Sequence, residues 1–548
     1  MQQVSAARRI LEGFAAAGVR TVFGLPGVHN LAFWREQGAG LPRIVSVRHE
    51  QTTVYAADGL ARATGGLGAA LTTTGPGAAN AVAAFGEAAA SGTPLVLVAS
   101  EISTALARPG VLRGVLHESR DQAGLFEPLA KAVLRPRTPE AVSQALAEAV
   151  CLALTCPRGP VYLDVPTDVL NAPAPPITLL DPAVSVPRPT DLDLLAAEVA
   201  AADRVVLWAG GGVLQADAGD ALDLLARRLD APVVTSYGGR GALPAGHPLL
   251  VGLPPHEPEV ADLLADADLL VGVGTRFDGM ITRNWSMPRP PRLAVVNADP
   301  ADLDTNYPPD VAVLGDARLA LVGLADRLSE RPPAGTADRV AAVGSAGWSR
   351  LAADPRSAEA VALVRAVGAA VPAEAVVVTD MAVAGYWWGG YGPVARPRAL
   401  QYPVGWGTLG YALPAAVGAA MAGPVLAVCG DGGLMYGLAE LATLAQEHLP
   451  VTVLVVDDGG YGMLRYGQDR AGDPHRGVDL VGPDWSALGR AFGIDAHVVD
   501  QVDDAPDGRP GGALTEALTE ALGGARPVLV VVRTALLPPR STSPRWHE

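Results

Sequence analysis

Pro424-Val425-Leu426-Ala427-Val428-Cys429-Gly430-Asp431-Gly432-Gly433 is the stretch that decides the fold. Pro424 to Cys429 has the apolar run of a short buried strand, and the glycine–aspartate turn ends it. From Leu434 to His448 apolar residues recur at Leu434, Leu438, Leu441 and Ala445, which is helical spacing. Pro450 stops that helix. Val451 to Val456 makes a second buried strand, and Asp457-Asp458-Gly459-Gly460 follows it. Acidic groups thus stand at the carboxyl ends of two strands that can be neighbours. The glycine-rich turn and helix N-terminus between them offer backbone N–H groups and a dipole to an anion such as a diphosphate. Carboxylates shared with phosphate oxygens suit Mg²⁺. The stretch reads as a metal–diphosphate cradle. The plain alternative is a strand–helix–strand unit with acidic turns.

The same alternation runs outward through the chain. Val4 to Ala17 has helical spacing and Val19 to Phe23 reads as a strand; Leu25-Pro26-Gly27-Val28-His29-Asn30 turns into the next helix. The strand Arg43 to Val47 ends in Arg48-His49-Glu50 before a helix to about Thr64. Gly68 to Thr73 leads into Thr74-Gly75-Pro76-Gly77-Ala78-Ala79-Asn80. Strands alternating with helices predict an α/β protein of three doubly wound parallel-sheet units. Proline-rich stretches place the units at 1–170, 191–330 and 351–548, with linkers at 171–190 and 331–350. The last strand, Pro527 to Val532, echoes Pro160 to Val165, so the first and third units read as one architecture used twice. Asp503 to Gly512 reads as an exposed loop, and the tail from Leu537 has no regular pattern.

Composition removes whole classes. The chain has 548 residues, enough for about three domains. Net charge is −16 with no basic cluster, so nucleic acid is not an expected partner. No apolar run of ~20 residues is present, so no membrane span is expected. The N-terminus has no signal-peptide pattern, and Cys151, Cys156 and Cys429 lack metal or redox spacing; a reducing cytoplasm is the expected location. Lys131 is the only lysine. No Gly-Lys pair exists for a P-loop, and a pyridoxal phosphate enzyme would have only Lys131 for its Schiff base.

Taken together, Gly430-Asp431-Gly432, Asp458, Arg48-His49-Glu50 and Thr74-Gly75-Pro76-Gly77 resemble the thiamine diphosphate-dependent enzymes of the acetolactate synthase-like group, over nearly the whole chain. The resemblance makes the units pyrimidine-binding, central and diphosphate-binding domains. It implies Mg²⁺ on Asp431, Asp458 and the backbone carbonyl of Gly460. Asp458 departs from the commoner asparagine but remains an oxygen ligand. It implies that Glu50 bonds the aminopyrimidine ring nitrogen and favours the tautomer that draws off the thiazolium C2 proton. Cofactor contacts fall on Glu50, Pro76, Asn80, Gly407, Leu409, Gly432, Gly433, Tyr461, Gly462 and Met463. Gly405-Trp406-Gly407-Thr408-Leu409-Gly410 matches a dinucleotide fingerprint in form only, since no strand and acidic partner frame it. In the family this loop's apolar residue, here Leu409, props the cofactor. The family also pairs the pyrimidine domain of one subunit with the diphosphate domain of another, so a homodimer or homotetramer is implied.

His29 and His117 are the candidate proton-transfer residues beside Glu50. The run Leu116-His117-Glu118-x-x-Asp121-Gln122 resembles certain 2-oxo acid decarboxylases, whereas a histidine at the position of His29 resembles benzaldehyde lyase-like enzymes. Flavin-containing relatives carry Gly-Met-His-Gly and Arg-Phe-Asp-Asp-Arg segments. The chain has Gly252-Leu253-Pro254-Pro255-His256 and Arg276-Phe277-Asp278-Gly279-Met280 instead, which weighs against FAD. The expected activity is cleavage or formation of a C–C bond in a 2-oxo acid, by decarboxylation with or without acetolactate synthase-like carboligation. The alternatives are benzaldehyde lyase-like or 2-hydroxyacyl-CoA lyase-like cleavage of 2-hydroxy carbonyl compounds, and a non-catalytic cofactor-binding regulatory subunit. The intact Glu50, Asp431 and Asp458 argue against the last.

Overall fold

Valine-rich runs bounded by glycine or proline become strands buried on both faces, and the alanine-rich segments between them become the covering helices. The computed structural model describes residues 4–540 apart from 37, 109, 288 and 503–511. The expected loop therefore lies almost wholly outside the described residues, as does the tail beyond 540. Three sheets result, and every strand pairing within them is parallel. Parallel sheets need crossover helices on their faces, which is why the strands read as continuous apolar runs.

The first sheet orders its strands Arg43–Ser46, Thr21–Gly24, Gly68–Thr72, Leu95–Glu101, Pro160–Pro166, Ala132–Leu134. The third orders Leu400–Gln401, Val376–Thr379, Val425–Gly430, Val451–Asp457, Val528–Arg533, Asp495–Val499. In chain order both run second, first, third, fourth, sixth, fifth, so one topology is indeed used twice. The middle sheet has five strands, with Leu269–Val273 at its centre. Among the described residues no helix is long and apolar enough to cross a membrane.

The helix expected from Leu434 to His448 is broken. It forms as Asp431–Leu434 and Glu440–Glu447. Between them the backbone makes tight i to i+3 bonds, from Tyr436 N to Gly433 O, Gly437 N to Leu434 O and Glu440 N to Gly437 O. Gly437 packs against the ring of Pro414, where a side chain would not fit. Tertiary packing has overridden the helical period.

The first and third units share one continuous core, in which Val54, Tyr55, Phe85 and Tyr162 join Leu413, Val417, Leu444 and Val453. Its axis is the helix pair Glu50–Thr64 and Ala412–Ala419. The first helix is capped by the His49 ring, which accepts from Gln51 N, and it ends at Gly65 in the left-handed region. The two backbones touch through glycines. A Cβ added at Gly59 would overlap the Ala415 carbonyl oxygen, and one at Gly418 would overlap that of Ala56. Alanine in a helix gains about 1 kcal/mol over glycine. Forcing these backbones apart costs about 1–3 kcal/mol or more, so the clash wins. Gly418→Ala is expected to lower the urea midpoint; an unchanged or raised midpoint would show that the helices separate freely.

Buried polar groups fix the same contact. Tyr411 donates to Asp58 at 2.5 Å, Arg62 pairs with Asp58 at 2.9 Å, and Thr408 donates to Glu87 at 2.8 Å. Gln401 donates to the Gly59 carbonyl at 2.7 Å. Elsewhere the sole lysine is tied down: Lys131 Nζ donates to the carbonyls of Leu152, Thr155 and Pro157 at 2.6–2.7 Å.

Candidate active site

The Gly430–Gly433 turn leaves the carboxyl end of its strand and starts a helix with no side-chain cap. A cavity of about 190 Å³ opens there, lined by Leu409, Asp431, Asp458, Tyr461 and Met463 among others. Asp431 is 3% exposed, and its Oδ1 has no hydrogen-bond partner. Burial, then the nearby charges of Asp458 and Asp457, push its carboxyl up to about 6. Burial also raises Asp458, against the opposing pull of Arg465. A buried carboxylate oxygen with no donor, facing a second carboxylate, fits a divalent cation. Among the described residues no cluster of three or more His, Cys, Asp or Glu forms a metal site. The set here is two carboxylates and backbone, which leaves positions for phosphate oxygens.

The Asp458–Gly460 turn is held from behind. Arg465 donates to the carbonyls of Asp458 and Gly459, both at 3.1 Å, and pairs with Asp479 at 2.9 Å. Gly460 N donates to Asp458 Oδ1 at 3.1 Å. Gly432 faces the Tyr461 ring, and Gly433 lies between Leu409 and Asp380. Gly462 packs against the Asp458 carboxylate. Gly407 sits in the left-handed region, φ 80°, in a turn next to Met381. A second helix, Val383–Tyr391, starts at the cavity with Ala382 as an uncapping residue, so its first N–H groups are unpaired by side chains.

The other expected residues gather in the first unit. Glu50 opens its helix, and its Oε2 accepts from Asn80 Nδ2 at 3.0 Å. Pro76 begins the short helix Pro76–Ala79, and Gly77 lies against Glu50 Oε1. His117, at φ 66°, packs on Gly75, and its ring meets that of His29 edge-on at 5.4 Å. The Nδ1 atoms of both histidines are buried without a partner. Burial, then His117, lowers the pKa of His29, so its imidazole is neutral at pH 7. The structure therefore forms two clusters within one chain, Glu50–Asn80–His29–His117 and Asp431–Asp458–Leu409–Tyr461. The cavity around Asp431 draws its walls from residues 381 to 536, all in the third unit.

Three family profiles match this arrangement, described as the thiamine pyrophosphate enzyme N-terminal TPP binding domain over 4–125, its central domain over 192–324 and its C-terminal TPP binding domain over 380–532. The chain belongs to the thiamine pyrophosphate enzymes. It is 36% identical to the Pseudomonas aeruginosa protein named as a probable 2-ketoarginine decarboxylase, AruI, over 91% of this chain and 90% of that one. It is 32% identical to the acetolactate synthase large subunit of Parasynechococcus marenigrum, over 90% of this chain and 83% of that one. A solved thiamin diphosphate-dependent enzyme from Mycobacterium smegmatis superposes with a TM-score of 0.80 at 25% identity, covering 98% of this chain and all of that one. The cofactor named in these descriptions, thiamine pyrophosphate, is thiamine diphosphate.

Two parts of this thiamine pyrophosphate enzyme escaped sequence reasoning. Asp380 is fully buried beside Gly433, with Oδ1 accepting from Ala412 N at 2.7 Å and Oδ2 unpartnered. Burial pushes it up to about 6. The signal was available: Asp380 follows a valine-rich strand just as Asp431 does. Gln122, quoted in the Leu116–Gln122 run but given no role of its own, is the second. Its Oε1 accepts from Gly75 N at 2.5 Å, while its Nε2 donates to the Ser100 carbonyl at 3.0 Å and to Asp164 at 2.8 Å. Gln122 thus fixes the turn that carries Pro76, Gly77 and Asn80.

Asp164 beneath it is 1% exposed, and burial followed by the charge of Glu101 pushes it up from 3.8 to about 7. Between those values the folded chain holds a proton that the unfolded chain has released. Stability therefore falls as pH rises through this window, by up to ~4 kcal/mol at about 1.4 kcal/mol per unit. Asp164→Asn should remove that slope. Urea midpoints measured from pH 4 to 7.5 are expected to rise for the variant relative to wild type; a gap that does not change with pH contradicts a buried, late-titrating Asp164.

Where the middle unit meets the first and third, a cleft of about 600 Å³ is lined by Arg158, Gly211, Gly212, Arg276, Asp299 and Tyr402 among others. The segment Leu253 to His256 does not face it. That segment is buried, and His256 Nε2 bonds Tyr237 at 2.8 Å. Arg276, Asp278, Gly279 and Met280 do line it, and Asp278 also caps its own helix, accepting from Met280 N and Ile281 N.

Proposed function

We propose that the protein is a thiamine diphosphate- and Mg²⁺-dependent decarboxylase of a 2-oxo acid, with a guanidino-bearing 2-oxo acid the first substrate to test. The observation that carries this reading is Asp431: buried, partnerless at Oδ1, and opposite Asp458 at the start of a helix. Asp431, Asp458 and the Gly460 carbonyl would hold the metal. Gly432, Gly433 and the uncapped start of Val383–Tyr391 would face the diphosphate. Leu409, Gly407, Tyr461, Gly462 and Met463 would bound the rest of the cofactor. When bound, thiamine diphosphate supplies a carbon nucleophile and an electron sink.

Glu50 is the proton-controlling residue in this reading. Asn80 fixes one carboxylate oxygen, which leaves the other for a ring nitrogen. Pro76 and Gly77 shape the wall beside it. His29, neutral at pH 7, can take a proton, and His117 stands next to it to pass one on. The Glu50 cluster and the Asp431 cavity would complete one site across two copies of the chain.

The test is a panel of 2-oxo acids, including 5-guanidino-2-oxopentanoate and pyruvate, assayed for CO₂ release with and without an aldehyde acceptor. CO₂ release with free aldehyde as the product supports decarboxylation, and CO₂ release with a ligated hydroxy-oxo product supports carboligation. A second reading, cleavage of 2-hydroxy ketones, is favoured by the unpartnered Nδ1 of His29, a base suited to a hydroxyl proton. Cleavage of such a ketone with no CO₂ from any 2-oxo acid would replace the first reading with the second.

A further inference from the structure

Away from both clusters, a cavity of about 560 Å³ lies where the middle unit meets the third. Its size is that of a small-molecule site, roughly 300–1,000 Å³. Leu243, Val364, Val394 and Trp348 give it an apolar body. Two guanidinium groups, Arg240 and Arg365, are in its wall, and among the described residues no carboxylate is. In a chain of net charge −16 that is a local reversal of sign. Glu257, which the wall residue Tyr391 reaches, is engaged by Tyr391 Oη at 2.5 Å and by Arg350.

The two arginines differ in setting. Arg240 donates Nη1 to the Gly390 carbonyl at 2.6 Å and Nη2 to that of Gly392, while its Nε is buried without a partner. Its guanidinium is thus oriented by backbone, and no acid among the described residues pairs with it. Arg365 is exposed at the rim, with no acidic partner among the described residues. An apolar body with an oriented cation and a second cation at its mouth suits a ligand with one anionic head and an apolar tail.

The cavity also touches the helix that serves the Asp431 site. All nine residues of Val383–Tyr391 are buried. Its first turn lines the Asp431 cavity, and its last residue, Tyr391, lines this one. At 1.5 Å per residue the two ends are only ~13 Å apart. A close-packed helix shifts as a unit rather than deforming.

We propose that this cavity is an effector site for an amphipathic carboxylate, held by Arg240 and Arg365 and coupled to the cofactor cavity through the Val383–Tyr391 helix. The coupling rests on the reading of the Asp431 cavity as the cofactor site; the binding does not. The carboxylate has two possible sources, the substrate itself at a second position or an unrelated aliphatic or aromatic acid.

Calorimetric titration of the full chain with octanoate and with octanamide tests the site. Octanoate is expected to bind, and octanamide at least about tenfold more weakly, as loss of a charge-assisted contact implies. Arg365→Gln should weaken octanoate by about tenfold, and Ala369→Trp, which fills the cavity from an exposed position, should abolish binding. Far-ultraviolet circular dichroism checks that both variants fold. No octanoate binding to wild type, equal binding of the amide, or indifference to both substitutions would overturn the site. Titrating the fastest-turned-over 2-oxo acid onto Asp431→Ala identifies the source: competition with octanoate means the substrate, none means another acid. Saturating octanoate should change thiamine diphosphate affinity by about fivefold or more. Unchanged affinity overturns the effector role. Failure of thiamine diphosphate to bind at all tells instead against the cofactor reading, and leaves the octanoate result standing.

Discussion

Glu50→Gln should leave a folded protein that binds thiamine diphosphate but turns substrate over at least about a hundredfold more slowly. Glutamine keeps the shape of the side chain and can keep the bond from Asn80. It cannot supply a carboxyl group to a ring nitrogen. Glu50 sits at a helix N-terminus, where loss of its charge costs about 0.3–1 kcal/mol, far too little to unfold the chain. The signature is therefore kcat lost with cofactor affinity kept. Turnover near wild type would remove Glu50 from the chemistry and return it to an ordinary helix-start carboxylate.

Asp431→Ala carries the other large expected effect, at least about a hundredfold weaker Mg²⁺-dependent binding of thiamine diphosphate, since a metal ligand is lost. The same change should raise the stability of the cofactor-free protein, because it removes a buried carboxyl whose Oδ1 has no donor. Opposite signs in two assays distinguish a cation site from a structural aspartate, whose removal would lower stability. Mixing the two variants extends the test. In a dimer that shares its sites, a chain lacking Asp431 contributes Glu50, and a chain lacking Glu50 contributes Asp431. Random pairing gives about half mixed dimers with one intact site of two, so about a quarter of wild-type activity should return. No recovery after subunit exchange would place Glu50 and Asp431 within one chain.

Strand positions were legible because parallel strands buried on both faces must be apolar throughout; Val425–Gly430 and Val451–Asp457 fall close to where hydropathy puts them. The repeated topology was legible from the echo of Pro160 and Pro527 strands. What hydropathy could not foresee was the break after Leu434. It depends on Pro414, a residue from another helix, pressing on Gly437. Asp431 and Asp458 were readable because chemistry and local spacing coincide there. Gln122 and Asp164 were not, because their meaning arises only when three different strand ends meet under Gly75. Asp380 lay between these cases. Its position after a strand was visible, but its contact with Gly433 was not.

The binding of Lys131 has a practical side. Its ammonium has three N–H bonds, and three backbone carbonyls take them. No second lysine exists in the sequence. Acylating reagents and amine-directed cross-linkers thus find no ready side-chain amine on residues 4–540, however long the exposure. Attachment to a surface or a dye would have to proceed through other chemistry, and a lysine introduced at any chosen exposed arginine would become a nearly unique handle.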